Sequence, residues 1–562
     1  MRNNSIFSLV IIVIIAFLLR SWNLDKPEGL WNDEYVGWYI ASRQDIWSFF
    51  TDMVRNCHTP FYYLYLKVWM YLFGDTDIAL RYSSLIPSVI SVAVMFFAGR
   101  EFKNQKFGLF CAFITTISSF LIYFAQEMRL YSLIFLMTSL SLYMTIKVLK
   151  KPNKRDMILL ILSLMAIVCT HTLGIIYVFY NILFTSLYMY TRMNPKKRAK
   201  LIYILSIFVF LPISLIIILI SPFLYNIATS SSLSQFWTGF SYSKVILSFT
   251  DYFSPVQTNI VNTPDTISAL IFNRNQINYS FIIFAVFPSL IAFFAIIRAF
   301  FSQNNKIKYI FLTAFMFFST LLVFSYSGKM VLITKYSIEM YPALILCFCF
   351  GLYIVKNKYL KNTLIIVFIL LNILYLLFSA DSAPKRTRPE GNLAPVELIR
   401  NSRLKSNDFI LLTYYDKDKF ERYLTPKDKY RFHSINKFNF NYFLYDNSNY
   451  FQVIKEGKSL YKDSFKEFPN KKITDYTKYT FKNNMKKGDR IGIIFLNNVS
   501  FLSNDNIQNI IKDNKQYKKT PFIFLVFSSL RNNLLVSFKN DYKIDSITQA
   551  GDWTLFVFEK TN

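Results

Sequence analysis

The chain has 562 residues, 53% of them hydrophobic and 19% aromatic, and its 63 Lys and Arg against 34 Asp and Glu give a net charge of +29. A mean hydropathy of +0.30 excludes a single water-soluble globule, because this much apolar surface needs an apolar solvent. Since the polar residues are concentrated after Pro384, we predict a membrane module over residues 1–384 and a soluble domain over residues 385–562.

The cysteines and the excess of basic residues exclude two further classes of protein. All 5 cysteines precede residue 384 and lie among apolar runs, which excludes a disulfide-stapled secreted domain. No basic stretch is interleaved with aromatic residues as in nucleic-acid-binding modules, so we expect no nucleic-acid partner. Basic loops have a simpler explanation in a membrane protein, where Lys and Arg are retained in the cytoplasm.

Apolar runs long enough to cross a bilayer follow one another through the membrane module. About 11 runs approach the roughly 20 helical residues that a crossing needs. They are Ser5–Leu19, Tyr82–Gly99, Phe107–Phe124, Leu130–Ile146, Met157–Thr170, Thr172–Tyr190, Leu201–Ile220, Tyr279–Ile297, Tyr309–Tyr326, Ser337–Val355 and Thr363–Ser379. We therefore predict a polytopic α-helical membrane protein whose first run is retained rather than cleaved as a signal peptide.

Loop charge predicts the orientation of these helices. Basic residues occupy every second loop, in the stretches 100–106, 147–155, 192–200, 298–308 and 356–361. This alternation places the N-terminus inside and the C-terminal domain outside. Together with the abundant Lys, Asn, Ile and Phe of an AT-rich bacterial genome, it predicts a multi-pass protein of the bacterial cytoplasmic membrane.

The C-terminal part has a different pattern. Short apolar runs alternate there with helix-like segments such as Ala394–Arg403, which predicts a small extracytoplasmic α/β domain. The runs are Phe409–Tyr415, Ile491–Leu496, Pro521–Phe527, Leu534–Phe538 and Thr554–Phe558. We find no catalytic constellation among these residues.

The first outer loop, residues 21–81, contains two candidate sites. Asp33 and Glu34 form an acidic pair among aromatic residues, which suits a general base, although solvated loop acids are the simpler interpretation. His58 opens an aromatic run that includes Tyr62, and the tyrosines of such a run are commonly interfacial anchors.

Three later turns on the predicted outer face carry further candidates. Arg129 follows Glu127 at the mouth of a span, and arginine matches phosphate geometry, although a lone arginine there would be interpreted as a snorkelling residue. His171 lies between two spans, where it is either a hydrogen-bonded interfacial side chain or part of a metal or phosphate site. Lys335 is a possible phosphate partner, with Glu339 a candidate to pair with it.

Taken in chain order, these pieces resemble the GT-C superfamily of polytopic glycosyltransferases, in the family 39-like branch that includes protein O-mannosyltransferases and the lipid A aminoarabinose transferase. The matching pieces are Asp33-Glu34, His58–Tyr63, Leu80-Arg81, Gln126–Ser132 with Tyr131, His171 and Lys335-Tyr336. They cover about the first 350 residues. The family usually has arginine where Lys335 stands.

The resemblance implies transfer of a sugar from a polyprenyl-phosphate donor to a lipid, glycan or protein acceptor at the outer leaflet. Asp33, with Glu34 beside it, would provide the general base, and Arg129 and Lys335 would bind the phosphate. The implied substrate-binding set is His58, Tyr62, Arg81, Glu127, Arg129, Tyr131, His171, Lys335 and Tyr336. A divalent metal is left open, with Glu34, His58 and His171 as its candidate ligands.

Two other functions share the predicted location. A flippase or exporter of lipid-linked glycan would need a polar path through the bilayer, whereas the spans have few ionisable residues at mid-depth. A ligase of preassembled lipid-linked glycan would use the same outer-face chemistry with a larger donor. The sequence does not identify the sugar or the acceptor.

Overall fold

A computed structural model describes residues 2–26, 29–55, 59–192, 242–256, 272–273, 276–277, 282–327, 334–379, 382–385, 393, 400, 409–412, 431–434, 490–496, 542–550 and 553–560. The chain forms two compact units. The first comprises Met1–Asp25 and Val36–Arg386, and the second comprises Lys26–Tyr35 and Thr387–Asn562. The segment Lys26–Tyr35, which lies in the predicted first outer loop, therefore groups with the C-terminal residues.

Helices account for most of the described part of the first unit. Those before residue 193 are α1 (Arg2–Ser21), α2 (Asn32–Ser42, whose residues up to Tyr35 belong to the second unit), α3 (Ile46–Arg55), α4 (Pro60–Phe73), α5 (Asp77–Phe102), α6 (Gln105–Ile117), α7 (Ser119–Ala125), α8 (Tyr131–Lys150), α9 (Lys154–Thr170) and α10 (Gly174–Arg192). Those after residue 241 are α11 (Tyr242–Phe253), α12 (Phe287–Phe300), α13 (Asn305–Tyr326), α14 (Tyr341–Tyr353) and α15 (Lys358–Phe378).

Two of the later helices begin with a different helical geometry. A π-helical turn, Ile282–Val286, leads into α12, and a 3₁₀ helix, Thr334–Met340, leads into α14. The latter, named here the 3₁₀ segment, contains a kink at Ser337. Short 3₁₀ stretches at helix starts are common and end within a few residues, since their hydrogen-bond geometry is less favourable than that of the α-helix.

Asparagine and threonine side chains fix several helix starts. Thr76 accepts a hydrogen bond from the N–H of Ala79 at the start of α5. Asn104, Asn153 and Asn357 do the same at the starts of α6, α9 and α15. Each cap satisfies a backbone N–H that has no partner inside its helix, so the loop sequences themselves define where these helices begin.

The described helices include 6 that are long and apolar enough to cross a membrane, or up to 7 if one bent pair forms a single span. They are Asp77–Phe102, Tyr131–Lys150, Ile282–Phe300, Asn305–Tyr326, Thr334–Tyr353 and Lys358–Phe378, with Gln105–Ile117 and Ser119–Ala125 as the bent pair. A multi-pass membrane protein is therefore the coarse architecture. The predicted run Leu201–Ile220 lies outside the described residues, and about 11 crossings stay a prediction.

The apolar run Phe107–Phe124, which we predicted as one span, is two helices bent by 60° at Ser118. Arg20, completely buried at the end of α1, donates to the carbonyl oxygens of Thr116 at 3.2 Å and Thr115 at 3.0 Å. Its Nε also donates to Ser88 Oγ at 2.8 Å. The guanidinium thus satisfies carbonyl groups in the last turn of α6, which lack partners farther along the helix because the helix ends there.

The two ends of the helices differ in their polar contacts. At one end, Lys150 pairs with Glu101 at 2.8 Å and Lys147 pairs with Asp156 at 2.5 Å, which joins the C-terminal ends of α5 and α8 to the start of α9. These residues lie in loops predicted to be cytoplasmic. The N-terminal ends of α5 and α8 and the turn between α9 and α10 therefore lie at the opposite end.

The described strands of the second unit form a five-stranded sheet. They are β3 (Phe409–Leu412), β4 (Arg431–Ser434), β5 (Arg490–Leu496), β6 (Tyr542–Ala550) and β7 (Trp553–Lys560), numbered after a short hairpin, β1 (Phe272–Asn273) and β2 (Gln276–Ile277), of the first unit. The order is β4-β3-β5-β7-β6, with β3 parallel to β4 and β5 and the remaining pairs antiparallel.

The sheet accounts for three of the apolar runs in the C-terminal part. β3, β5 and β7 lie within or overlap the runs that begin at Phe409, Ile491 and Thr554. Parallel neighbours such as β3 and β5 need crossover connections, which are usually helical. The helix-like segments and the runs Pro521–Phe527 and Leu534–Phe538 fall outside the described residues, so the α/β class stays a prediction.

Candidate functional site

The turn between α7 and α8 is fixed through its backbone. Ser84 of α5 donates from Oγ to the carbonyl oxygen of Arg129 at 3.0 Å and accepts from the Arg129 N–H at 3.2 Å. Gln126 donates from its side-chain amide to the carbonyl oxygens of Arg20 at 3.1 Å and Trp22 at 2.7 Å. The turn that carries Glu127 and Arg129 is therefore tied to both α1 and α5.

Arg129 is buried, yet its charge lies beside other polar groups. Its guanidinium carbon is 6.0 Å from the centroid of the Tyr131 ring. The Tyr131 hydroxyl lies within electrostatic range of Arg129, Glu127 and Lys335. The start of α8 and the 3₁₀ segment thus bring two cations, separated by about 200 residues of sequence, to one phenol.

The 3₁₀ segment contributes the second cation and an aromatic ring. Lys335 and Tyr336 are half-buried, and Lys335 Nζ is 5.3 Å from the centroid of the Tyr336 ring. The Tyr336 ring centroid is in turn 6.1 Å from that of His171. Tyr336 therefore lies between Lys335 and His171, which comes from the turn between α9 and α10.

His171 is held by a carboxylate. Its Nδ1 forms a hydrogen bond with Oε1 of Glu339, which is fully buried in the 3₁₀ segment. We considered Lys335 as the partner of Glu339 from their spacing, and the structure pairs Glu339 with His171. From the sequence, His171 is a single histidine in a turn between two spans. In the structure it forms a buried pair with Glu339.

A network of hydroxyl groups supports the 3₁₀ segment from α11. Thr334 donates from Oγ1 to the Asp251 carboxylate at 2.9 Å, and the Tyr252 hydroxyl is 2.6 Å from Ser337 Oγ. Tyr341 donates to the carbonyl oxygen of Tyr252 at 2.5 Å. Sequence reasoning missed these residues, and their one signal was the aspartate near the end of the mixed polar and apolar stretch Tyr242–Phe253.

The acidic pair of the first loop belongs to the second unit. Asp33 and Glu34 lie in the first turn of α2, where the positive end of the helix dipole stabilises negatively charged side chains. Glu34 is buried and its Oε2 accepts from the backbone N–H of Trp31 at 3.2 Å. This contact has the geometry of a capping box, which gives Glu34 a structural task. Asp33 is half-buried.

Two other predicted residues are buried near the starts of α4 and α5. Arg81 donates to the carbonyl oxygen of Leu24 at 3.2 Å, one turn before Ser84 on α5. Tyr62 is buried in α4 with its ring centroid 5.2 Å from that of Tyr63. These contacts place Arg81 and Tyr62 in the packing between the loop after α1 and the starts of α4 and α5.

The proposed metal ligands are not brought together by the described contacts. His58 lies outside the described residues, and Glu34 belongs to the second unit. Within the described parts of the chain, no three His, Cys, Asp or Glu side chains are close enough to hold a metal ion. The metal stays a prediction.

The group formed by Arg129, Lys335, Tyr131, His171 and Tyr336 is suited to an anion. Arginine and lysine provide charge-assisted hydrogen bonds, which are stronger than neutral ones, and a phenol and an imidazole add donors. Partial burial strengthens such interactions because less water screens them. A phosphate group is the anion whose several oxygens best match so many donors.

Comparison with known proteins shows which family this chain resembles. Residues 57–225 match the family model described as dolichyl-phosphate-mannose-protein mannosyltransferase. The resemblance to the GT-C glycosyltransferases is confirmed. The matched segment of the GT-C family includes Arg81, Arg129 and His171, whereas Asp33 and Lys335 lie outside it. No curated protein sequence matches the chain.

Solved GT-C structures have a related fold. ArnT from Cupriavidus metallidurans in the apo state is 10% identical, with a TM-score of 0.51 over 99% of this chain and 98% of that chain. The same protein bound to undecaprenyl phosphate gives 12% identity and a TM-score of 0.48 over 98% and 97%. The Archaeoglobus fulgidus oligosaccharyltransferase tethered with an acceptor peptide gives 10% and 0.46 over 99% and 74%. At such identities the likeness concerns the fold alone.

Proposed function

We propose that this chain is an integral-membrane glycosyltransferase that moves a sugar from a polyprenyl-phosphate donor to an acceptor at the outer face of the bacterial cytoplasmic membrane. The observation that carries the proposal is the convergence of Arg129, Lys335, Tyr131 and His171 from separate turns. ArnT, whose apo fold resembles this one, has been crystallised with undecaprenyl phosphate, and a lipid phosphate of that kind suits this group.

The reaction follows from the charges. The bond between the anomeric carbon and the phosphate oxygen breaks, and the acceptor oxygen forms the new bond to that carbon with inversion. The acceptor proton passes to the Asp33 carboxylate, and the departing lipid phosphate keeps the electron pair as an anion. Arg129 and Lys335 stabilise this anion, so the protein mainly positions the reactants and neutralises charge.

Asp33 is a better candidate for the base than Glu34. Glu34 is buried and its carboxylate accepts from the Trp31 N–H, a contact that holds the start of α2. Asp33 is half-buried on the same turn. A base must reach the acceptor hydroxyl, so the more accessible carboxylate fits the role. Glu34 then maintains the backbone from which Asp33 projects.

The proposal is tested by the lipids of a deletion strain. Loss of the protein should cause a polyprenyl-phosphate sugar to accumulate, and mass spectrometry of the lipid extract would identify the sugar from its mass. The intact gene should clear this lipid, whereas Asp33→Asn should not, at equal protein levels. Asp45→Asn is the matched control, because Asp45 is another acid of the first loop whose carboxylate accepts from the Ser48 N–H at 2.6 Å.

The outcomes separate this enzyme from the other candidate functions. Full clearance by Asp33→Asn would remove Asp33 from the role of base. Absence of any lipid-linked sugar in the deletion strain would contradict the proposed donor. In reconstituted vesicles, movement of labelled lipid between leaflets without a new glycosidic bond would identify a flippase instead.

A further inference from the structure

Glu339 is a carboxylate buried completely within the first unit. Its Oε1 forms a hydrogen bond with Nδ1 of His171, a residue 168 positions away in the sequence. Among the described residues, its Oε2 has no hydrogen-bond partner. Removing a carboxylate from water costs free energy that one hydrogen bond does not fully offset, and an apolar side chain would cost less. The carboxylate therefore contributes something other than stability.

The hydrogen bond fixes the chemistry of the His171 ring. In a hydrogen bond between a histidine ring and a carboxylate the ring nitrogen donates, so we assign the N–H of this contact to Nδ1. The main chain is fixed as well, because the His171 N–H donates to Ile167 at 3.0 Å and its carbonyl oxygen accepts from Gly174 at 3.0 Å. With Nδ1 turned to Glu339, Nε2 lies on the opposite edge of the ring.

The residues around the His171 ring indicate which ligand its Nε2 is placed to contact. The His171 ring lies 6.1 Å from the Tyr336 ring, which Lys335 Nζ approaches to 5.3 Å. Glu339 is also within electrostatic range of the Tyr177 and Tyr252 hydroxyls. Since Nδ1 is engaged by Glu339, Nε2 is the ring nitrogen of His171 that remains to contact a ligand near Tyr336 and Lys335.

We infer that Glu339 is a positioning residue that holds a proton on Nδ1 of His171, so that Nε2–H donates to the phosphate of the bound polyprenyl phosphate. The inference rests on the proposed function and extends its phosphate site. In this arrangement His171 contacts the ligand and Glu339 acts through His171. An outer-shell carboxylate of this kind commonly orients a histidine ligand in metal sites, where its loss weakens binding about 10-fold or more.

Histidine ¹⁵N resonances of the full-length protein in detergent test the positioning directly. The chain has 3 histidines, so the spectrum is simple, and His171→Gln assigns the signals. We expect the wild type to show a protonated Nδ1 and a shift of Nε2 when undecaprenyl phosphate is added. Glu339→Ala should lose both features. Glu339→Gln should keep much of the Nδ1 signal, because its amide oxygen can still accept.

Binding of undecaprenyl phosphate supplies the second readout. Glu339→Ala should weaken it about 10-fold, and Glu339→Gln about 3-fold or less. Glu101→Gln is the matched control, because Glu101 pairs with Lys150 at the other end of the helices and should bind like the wild type. If Glu339→Ala is not folded, Glu339→Met takes its place, because a methionine fills the volume but accepts no comparable hydrogen bond. Wild-type values of both the His171 signals and the affinity in that variant overturn the inference.

The two proposals fail in different ways. Unchanged His171 signals and affinity in Glu339→Ala, with a wild type that binds the lipid, would overturn the role of Glu339 and leave the proposed function standing. A wild type that does not bind undecaprenyl phosphate would contradict the proposed function and with it the contact from Nε2. The Nδ1 signal of Glu339→Ala would then still show whether Glu339 orients His171.

Discussion

Ser84 holds the backbone of Arg129 from both sides, with its hydroxyl donating to the carbonyl oxygen at 3.0 Å and accepting from the N–H at 3.2 Å. One small side chain on α5 thus satisfies two buried polar groups in the turn before α8. Because a buried backbone group without a partner costs free energy, this contact ties the position of Arg129 to the stability of the helices.

We expect Ser84→Ala to destabilise the protein by about 1–3 kcal/mol, because the Arg129 carbonyl oxygen loses the Ser84 donor, while the Arg129 N–H keeps its contact with the Glu127 carbonyl oxygen at 2.7 Å. It should also weaken binding of undecaprenyl phosphate, since Arg129 is no longer held. Thermal unfolding in detergent, followed by intrinsic fluorescence, and lipid titration measure the two effects. Ser91→Ala is the control, because Ser91 is equally buried on α5 but bonds within its own helix to Pro87. Equal effects in both variants would contradict the assigned contact.

Arg20 gives a second prediction, at the break between α6 and α7. Arg20→Met keeps the length of the side chain but leaves the carbonyl oxygens of Thr115 and Thr116 without their donor. We expect a loss of about 3 kcal/mol or more in unfolding free energy, since hydrogen bonds to charged groups are the stronger ones. Arg298→Met should change stability little, because Arg298 is exposed and donates to one carbonyl group. A wild-type melting temperature for Arg20→Met would remove Arg20 from this role.

The pair of Lys147 and Asp156 makes stability depend on pH. The hydrogen bond that Lys147 donates to the Asp156 carboxylate lowers the pKa of Asp156. Asp156 lies in the first turn of α9, before the predicted span. A lowered pKa in the folded state stabilises the protein above the ordinary aspartate pKa of about 4, and this contribution is lost as the pH falls through the folded value. Asp156→Asn should therefore lower the melting temperature at neutral pH but not at pH values below the folded-state pKa of Asp156, where the carboxylate is protonated.

The partner provides the control for this pH dependence. In a Lys147→Met background, Asp156→Asn should cost less at neutral pH, because the carboxylate has already lost its cation. The comparison of four variants gives the coupling between the two side chains, which we expect to be about 1 kcal/mol for a partly exposed pair. A coupling near zero would show that another group lowers the pKa.

Local sequence patterns predicted the helices but not the contacts that hold them. The run Phe107–Phe124 is apolar throughout, and nothing in its composition marks the bend at Ser118, which depends on Arg20. His171 was recognised as a candidate and Glu339 was considered only as a partner of Lys335, because its actual partner is 168 positions away in the sequence. Hydrophobic runs are local and can be read directly, whereas such pairs appear only when distant turns are folded together.

The acidic pair shows the same limit at shorter range. The sequence singled out Asp33 and Glu34 together, and nothing in the dipeptide separates their roles. The start of α2 at Asn32 places Glu34 where its side chain reaches back to the N–H of Trp31. Only the exact helix start distinguishes a capping carboxylate from its neighbour, and such boundaries are the least certain part of a sequence-based prediction.

Lys335 provides the sharpest test of the anion site. Lys335→Ala removes one of the two cations near the Tyr131 hydroxyl, so we expect binding of undecaprenyl phosphate to weaken by about 10-fold or more, the value of one charge-assisted hydrogen bond. Lys335→Arg should retain binding within about 3-fold or improve it, because a guanidinium binds phosphate through two parallel hydrogen bonds. Lys361→Ala, at the start of α15, is the control for a general loss of positive charge.

Salt dependence distinguishes a phosphate contact from a structural role for Lys335. If Lys335 Nζ binds the phosphate, raising the ionic strength should weaken wild-type binding more than it weakens the residual binding of Lys335→Ala, because screening acts on the charge that the variant lacks. The effect should be moderate, since the half-buried side chain is screened less than an exposed one. Parallel salt dependences for the two proteins, with equal melting temperatures, would exclude Lys335 from the phosphate site and leave Arg129 as its candidate cation.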